Sequence, residues 1–376
     1  MKNHKKRFKD SGNPRYRLSE DEADIILKYR RIKQEAEAQG LSVNDVHSGW
    51  IKSKEASLYF KNPDHKQQDH KKLFKELIEE VKQYAPYYNK IERPKVIEPH
   101  LFFCCPSDIH IGKLCRSFVS GVEYNNQIAV QRTLEGVRGC IKKAEGFYID
   151  QVILLLSGDL LHVDGFRTTT KGTPQDMDGL FSDMFLIAKR LMVEVIEMLL
   201  DIADVQVMYT SGNHDHITGW LMSEVLKAHF SLCSNVTWNN DLTMRKYFKY
   251  GKTLISSTHG DAIKWNLLPM IMADECKWWS ETKYRYIFTQ HIHHKVQHKN
   301  DFVGVTLESL RSPSGADAWH HKSGYQSSSN LAIESFLFHK QHGQVARLHT
   351  YFNNLLLINF LMCFVICIII IYIFTP

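Results

Sequence analysis

Between residues 100 and 352 the chain alternates short, mostly apolar runs with longer stretches of helical periodicity. The runs Leu101–Cys105, Val152–Leu156, Val205–Tyr209 and Tyr284–Phe288 read as buried strands. Around Tyr250-Gly251 the segments 247–249 and 253–255 read as a hairpin, and strands near 302–310, 330–339 and 344–352 close the domain. Helices are predicted over about 126–145, 177–202, 219–231 and 264–279. Apolar strands crossed by helices predict parallel α/β pairing, with a more antiparallel second half.

The chain ahead of this domain has a different texture. Residues 1–17 are basic and polar and read as a flexible arm. Residues 18–85 read as helical. Ser19 and Glu22 form a capping box, Ile25, Ile26 and Tyr29 recur at helical spacing, and Gly40 ends that pattern. A shorter pattern runs through Val46, Trp50 and Ile51, with lysines interleaved with Tyr59 and Phe60. A third helix after Asp69 carries Leu73, Phe74, Leu77, Ile78 and Val81. Three such helices read equally as a helix-turn-helix DNA binder or as a protein-contact module with a solvated basic face. Pro86, Pro94 and Pro99 punctuate a linker over 86–99. After the domain, residues 355–374 form a charge-free apolar stretch of twenty residues, long enough as a helix to span a bilayer. It reads as a C-terminal single-pass anchor on a cytoplasmic catalytic domain, or alternatively as translated AT-rich DNA after a frameshift.

Composition adds two facts. The 376 residues carry a net charge of +6, and residues 1–100 alone hold 22 Lys and Arg against 16 Asp and Glu. All the excess positive charge therefore lies in the first quarter, a pattern that suits nucleic acid. The eight cysteines form no CxxC pair, which argues for a reducing compartment and against a disulfide-linked partner. The basic N-terminus is followed by no apolar segment, so no secretory signal is expected.

Chemistry concentrates where strands stop. Five apolar strands end in tight polar clusters: Asp108-Ile109-His110, Gly158-Asp159, Gly212-Asn213-His214-Asp215, His259-Gly260-Asp261 and Gln290-His291-Ile292-His293-His294. One such cluster would more often be a capping Asp or a hydrogen-bonded core His than a ligand. Five in one domain reverse those odds, because open α/β sheets place their chemistry at strand ends. Carboxylate, amide oxygen and imidazole together suit Mn²⁺, Fe or Zn²⁺ better than Ca²⁺, which prefers oxygens alone.

In order and spacing the five clusters resemble the motif set of calcineurin-like metallophosphoesterases. The resemblance covers about residues 100–350. The segment Arg311–His321 resembles substrate-side loops of phage-type members of that family. The resemblance implies an α/β sandwich of two mixed β-sheets flanked by helices, beside the small all-α N-terminal region read above. It also implies two divalent metal ions, with manganese the first expectation. Asp108, His110, Asp159 and His293 would hold one ion, and Asp159, Asn213, His259 and His291 the other, with Asp159 bridging. A hydroxide shared by the ions would attack phosphorus in line, with His214 at the leaving oxygen. Asp215 would either support His214 or cap the turn. Where the family places Gly before the HxH, this chain has Gln290.

Arg167 and Lys171 are candidate substrate-phosphate residues, and His294 a pocket-wall residue. The expected function is a phosphodiesterase or nuclease acting on nucleic acid. The alternatives are a small-molecule phosphatase or nucleotide phosphodiesterase, and a non-catalytic nucleic-acid-binding or scaffold protein on the same fold.

Overall fold

The computed structural model describes residues 48–52, 57–61, 70–95, 97–165, 167–293, 296, 304–315 and 331–352, with scattered helical positions between Leu27 and Glu37. Two compact units divide at Lys75 and Glu76.

In the first unit the stretch expected as a middle helix is a hairpin. Ser48–Lys52 (β1) pairs antiparallel with Ser57–Lys61 (β2), placing Trp50 opposite Tyr59 and Ile51 opposite Leu58. Aromatic and β-branched residues in both runs favour extended chain over helix. The all-α reading of residues 18–85, and the three-helix DNA-binding motif drawn from it, are corrected accordingly. His70–Gln83 (α1) is the helix expected after Asp69.

The second unit is built on a six-stranded sheet in the order β12-β11-β3-β4-β5-β6. Its parallel centre is His100–Cys105 (β3), Ile149–Leu156 (β4), Asp204–Tyr209 (β5) and Val236–Asn239 (β6). Ala332–His339 (β11) and Gly343–Tyr351 (β12) extend it antiparallel. A second sheet, ordered β10-β9-β8-β7, joins Lys246–Tyr250 (β7), Thr253–Thr258 (β8), Tyr284–Thr289 (β9) and Val305–Ser309 (β10). Here β8, β9 and β10 run parallel while β7 closes a hairpin.

The unbroken apolar runs are explained by the faces they cover. Along β3, Leu101, Phe103 and Cys105 pack toward the second sheet with Ile153, Leu155, Ile255, Phe288 and Phe336. The alternate residues Phe102 and Cys104 pack with Val137, Met192 and Leu226 of the helices Asn126–Lys143 (α3), Phe181–Leu200 (α4) and His216–His229 (α5). The short helix Ser117–Ser120 (α2) precedes α3. Leu268–Glu275 (α6) covers the outer face of the second sheet through Leu268 and Met272. With about 0.8 kcal/mol gained per buried CH₂, a strand covered on both faces has no position for an unpaired polar side chain. A polar side chain inside such a strand needs a partner, as Glu334 of β11 has in Arg311, and the clustered polar residues of the site follow the strand ends.

Tyr88 of the proline-punctuated stretch stacks on Phe230 and hydrogen bonds Glu197 at 2.8 Å. Ile91 exchanges two backbone bonds with the Asn235 side chain, each 2.9 Å. This stretch, read from sequence as a linker, lies against the domain. No helix among the described residues is long and apolar enough to cross a membrane. The expected arm 1–17, His294 and the apolar stretch 355–374 lie outside the described residues.

Candidate metal centre

The parallel triplet β3-β4-β5 and the parallel pair β8-β9 send five strand ends to one crevice, and all five polar clusters meet there. Asp159 is at its centre. One carboxylate oxygen, Oδ1, accepts the His214 backbone N–H at 2.8 Å. The other, Oδ2, faces His259 Nε2 at 3.2 Å and His110 Nε2 at 4.0 Å. On one side His110 Nε2 lies 3.0 Å from His293 Nε2. On the other, His259 Nε2 also reaches Asn213 Oδ1 at 2.8 Å. Asp108 Oδ2 accepts the His291 N–H at 3.0 Å, while its Oδ1 lies 4.0 Å from His259 Nδ1.

Five of the seven non-glycine residues with positive φ among the described residues lie in this crevice. Asp108, His110, Asp159, His291 and His293 all have φ between 50° and 72°, the left-handed region that side chains with a Cβ avoid. Such residues cluster where a surrounding structure over-determines them. The glycines follow from close approach. A Cβ on Gly158 would overlap the Gly212 backbone, and one on Gly212 would overlap Asp159 Oδ1. Gln290, in place of the expected Gly, needs no such freedom: its φ is negative or extended, and its Nε2 donates to Ser257 Oγ at 2.8 Å.

The electrostatics fit a cation. Asp108, Asp159 and Asp215 are all buried, at 0%, 1% and 0% exposure. Burial pushes the Asp108 carboxyl up to about 8 against the pull of His259. Burial and then the neighbouring Asp159 raise Asp215 to about 7. Burial works to raise Asp159 as well, but the charge and hydrogen bond of His259, then His214, hold it well below the usual range. Burial disfavours charge on His259 too, yet Asp159 and Asp108 lift it to about 9. Burial, with His214 and His293 beside it, drives His110 well down, and burial with His259 lowers His291. Asp108 Oδ1 and His259 Nδ1 are buried with no hydrogen-bond partner among the described residues. The Asp108 oxygen, an acceptor left unsatisfied this way, costs free energy that a bound cation would recover. The donor set of carboxylate, amide oxygen and neutral imidazole fits Mn²⁺, Fe or Zn²⁺.

Ligand atoms of Asp159, His259 and His291 lie within 4.8 Å of one another, and so do those of His110, His162 and His214. His162 was not anticipated from the sequence. It is buried, its Nδ1 lies 3.2 Å from His110 Nδ1, and its ring stacks on His214. A His three residues after Asp159 and behind two leucines was the only available signal. His162 also settles the support of His214, whose Nδ1 lies 2.9 Å from the His162 carbonyl oxygen. Asp215 points elsewhere: its two oxygens accept the N–H groups of Asp159 and Leu161 at 2.9 and 3.0 Å. Of the two roles open to Asp215, the geometry favours securing the turn, and it secures the Asp159 turn rather than the start of its own helix. Asp164 supplies that helix cap, accepting Ile217 and Thr218 N–H at 2.9 and 2.8 Å.

Arg167 and Lys171 sit exposed on a tongue, residues 164–176, tied to the site where Thr170 N–H reaches the Asn213 carbonyl at 3.2 Å.

No protein-family model and no curated protein matches the chain. Among solved structures, Vps29 from Cryptosporidium parvum is similar at 12% identity and a TM-score of 0.31, over 68% of this chain and 98% of that one. Zn²⁺-complexed wild-type Vps29 from Entamoeba histolytica is similar at 10% identity and 0.29, over 66% and 98%. A conserved uncharacterized protein from Streptococcus pneumoniae, described as a predicted phosphoesterase, is similar at 12% and 0.26, over 67% and 97%. These likenesses are too distant to assign function.

Proposed function

We propose that the chain is a metal-dependent phosphoester hydrolase acting as a phosphodiesterase on nucleic acid. One observation carries the reading: Asp159 Oδ2 faces an imidazole Nε2 from each half of the site, His110 and His259, with the unpartnered Asp108 Oδ1 beside them. Asp108, His110, Asp159 and His293 would hold one divalent ion, and Asp159, Asn213, His259 and His291 a second. Bound there, the ions would neutralise charge on the phosphoryl oxygens and acidify water at neutral pH.

The chain's own residues do the rest. His214 has Nδ1 committed to the His162 carbonyl, so Nε2 is the nitrogen left to hand a proton to the leaving oxygen. Asp215 keeps the Asp159 turn in place. The tongue bearing Arg167 and Lys171 offers two exposed cations to further phosphates, which favours a polymeric substrate over a monoester. The positive first hundred residues favour the same substrate.

Purified protein with Mn²⁺ is expected to hydrolyse bis-p-nitrophenyl phosphate, and Asp159→Asn to abolish turnover. Undiminished turnover in that variant would refute the bridging role. A panel of single-stranded DNA, duplex DNA, RNA and nucleotides tests the substrate. Hydrolysis confined to nucleotides would refute the nucleic-acid assignment while leaving the metal centre standing.

A further inference from the structure

The left-handed turns at Asp108 and His293 belong to different sheets, and one buried segment touches both. Ser312, at 0% exposure, donates its hydroxyl to the Asp108 carbonyl at 2.7 Å, and its backbone N–H reaches the His293 carbonyl at 3.4 Å. The hydroxyl's remaining capacity is also used. Ser312 Oγ accepts the Ser314 N–H at 2.9 Å and lies 2.7 Å from Ser314 Oγ. A serine oxygen has one proton and two lone pairs, so with Ser314 N–H fixed as a donor and Asp108 O fixed as an acceptor, Ser314 Oγ must donate. The rotor therefore has one orientation, with its proton on Asp108.

Upstream, the segment is anchored from the second strand of the first sheet. Glu334 of β11, at 0% exposure, accepts Arg311 N–H through Oε2 at 2.9 Å and Arg311 Nη1 through Oε1 at 2.9 Å. One carboxylate thus grips both the backbone and the side chain of the residue before Ser312. Downstream, Arg132 Nη1 donates to the Pro313 carbonyl at 2.7 Å. A surface loop would hold Ser312 loosely; this one is fixed on both flanks.

From this arrangement we infer that Ser312 is a positioning residue, held by the Glu334–Arg311 clamp, that sets the spacing between Asp108 and His293 and so the fit of the first ion. The inference rests on the two-metal reading of the site. Asp108 φ is 50° and His293 φ is 58°, so both turns relax toward ordinary backbone unless something restrains them. Ser312 hydrogen bonds to both, beside the direct bond from His291 N–H to Asp108 Oδ2.

The test compares Mn²⁺ binding by titration calorimetry, and the exchange-coupled dinuclear Mn²⁺ resonance, in the full chain and in Ser312→Ala, Ser312→Thr and Glu334→Gln. Ser312→Ala is expected to weaken one of two Mn²⁺ sites about tenfold, consistent with losing a buried hydrogen bond at a charged centre. The coupled resonance should give way to a mononuclear one. Ser312→Thr, which keeps the hydroxyl, should restore both. Glu334→Gln should shift the spectrum in the same direction as Ser312→Ala. A melt of each variant without metal separates folding from positioning, since Ser312→Ala should melt close to the parent. Parent protein that binds no Mn²⁺ overturns the metal-centre reading and this inference with it. Parent protein that binds two ions, with Ser312→Ala matching it in affinity and resonance, overturns this inference alone.

Discussion

Replacing Asp215 by Ala separates two accounts of a residue that lies next to His214, the proposed proton donor. Its carboxylate is fully buried and accepts two backbone N–H groups, those of Asp159 and Leu161. Alanine leaves both buried donors unpaired. At about 1–3 kcal/mol for each orphaned buried donor, the cost is roughly 2–6 kcal/mol. Part of this is offset in the metal-free protein, because burial and then Asp159 push the Asp215 carboxyl up to about 7 and so disfavour its charged form at neutral pH. The full cost should appear once metal is bound and the carboxylates are ionised. For a domain of this size the holo protein should then melt about 5–15 °C lower, and the metal-free protein less than that. Mn²⁺ affinity should fall together with turnover, because the turn that moves carries Asp159. Scanning calorimetry with and without Mn²⁺, paired with binding titration, reads both. If metal affinity and melting stay at parental values while only turnover falls, Asp215 acts through His214 and the turn-anchoring reasoning is refuted.

Three further outcomes follow from the same geometry. His214→Gln should retain both ions yet turn over at least a hundredfold more slowly, and loss of metal in that variant would make His214 a ligand. Metal uptake should release protons. Asp108, at about 8 against an ordinary 3.8, and His259, at about 9 against 6.5, both hold protons at pH 7 in the metal-free protein. Both folded values are raised, so their contribution to metal-free stability is full below each unfolded value and is lost as pH climbs through 8 and 9. Apparent Mn²⁺ affinity should therefore rise between pH 6 and 9, and calorimetry in buffers of different ionisation enthalpy counts the protons; pH-independent affinity would contradict the electrostatics. Deleting residues 1–69, which leaves α1 and the docked Tyr88 stretch intact, should weaken DNA binding and flatten its salt dependence, and unchanged binding would remove the charge argument for nucleic acid.

How much was legible in the sequence depends on what each residue answers to. The strands of the sandwich were readable because a strand buried on both faces leaves a run such as Val152–Leu156 with no polar interruption. The candidate ligands were readable because five polar clusters follow five such runs. The hairpin at 48–61 was not, since Trp50, Ile51, Tyr59 and Phe60 spaced among lysines suit a helix face and a strand pair alike. His162 was missed because a lone His behind two leucines resembles an ordinary loop residue, and only the fold brings its ring against His110. The docking of residues 85–95 depends on Glu197, Phe230 and Asn235, more than a hundred residues away, and no local signal reports it. Support relations were the least visible. Asp215 beside His214 in sequence suggested a pair, whereas the backbone turns it toward Asp159, and the helix cap falls to Asp164 instead.

The central claim is that Asp159 stands between two ions. Anomalous diffraction from crystals grown with Mn²⁺ tests it directly. The account predicts two manganese peaks about 4 Å apart with Asp159 between them, one beside His110 and His293 and one beside Asn213, His259 and His291. A single peak held by His110, His162 and His214, or none at all, would contradict it.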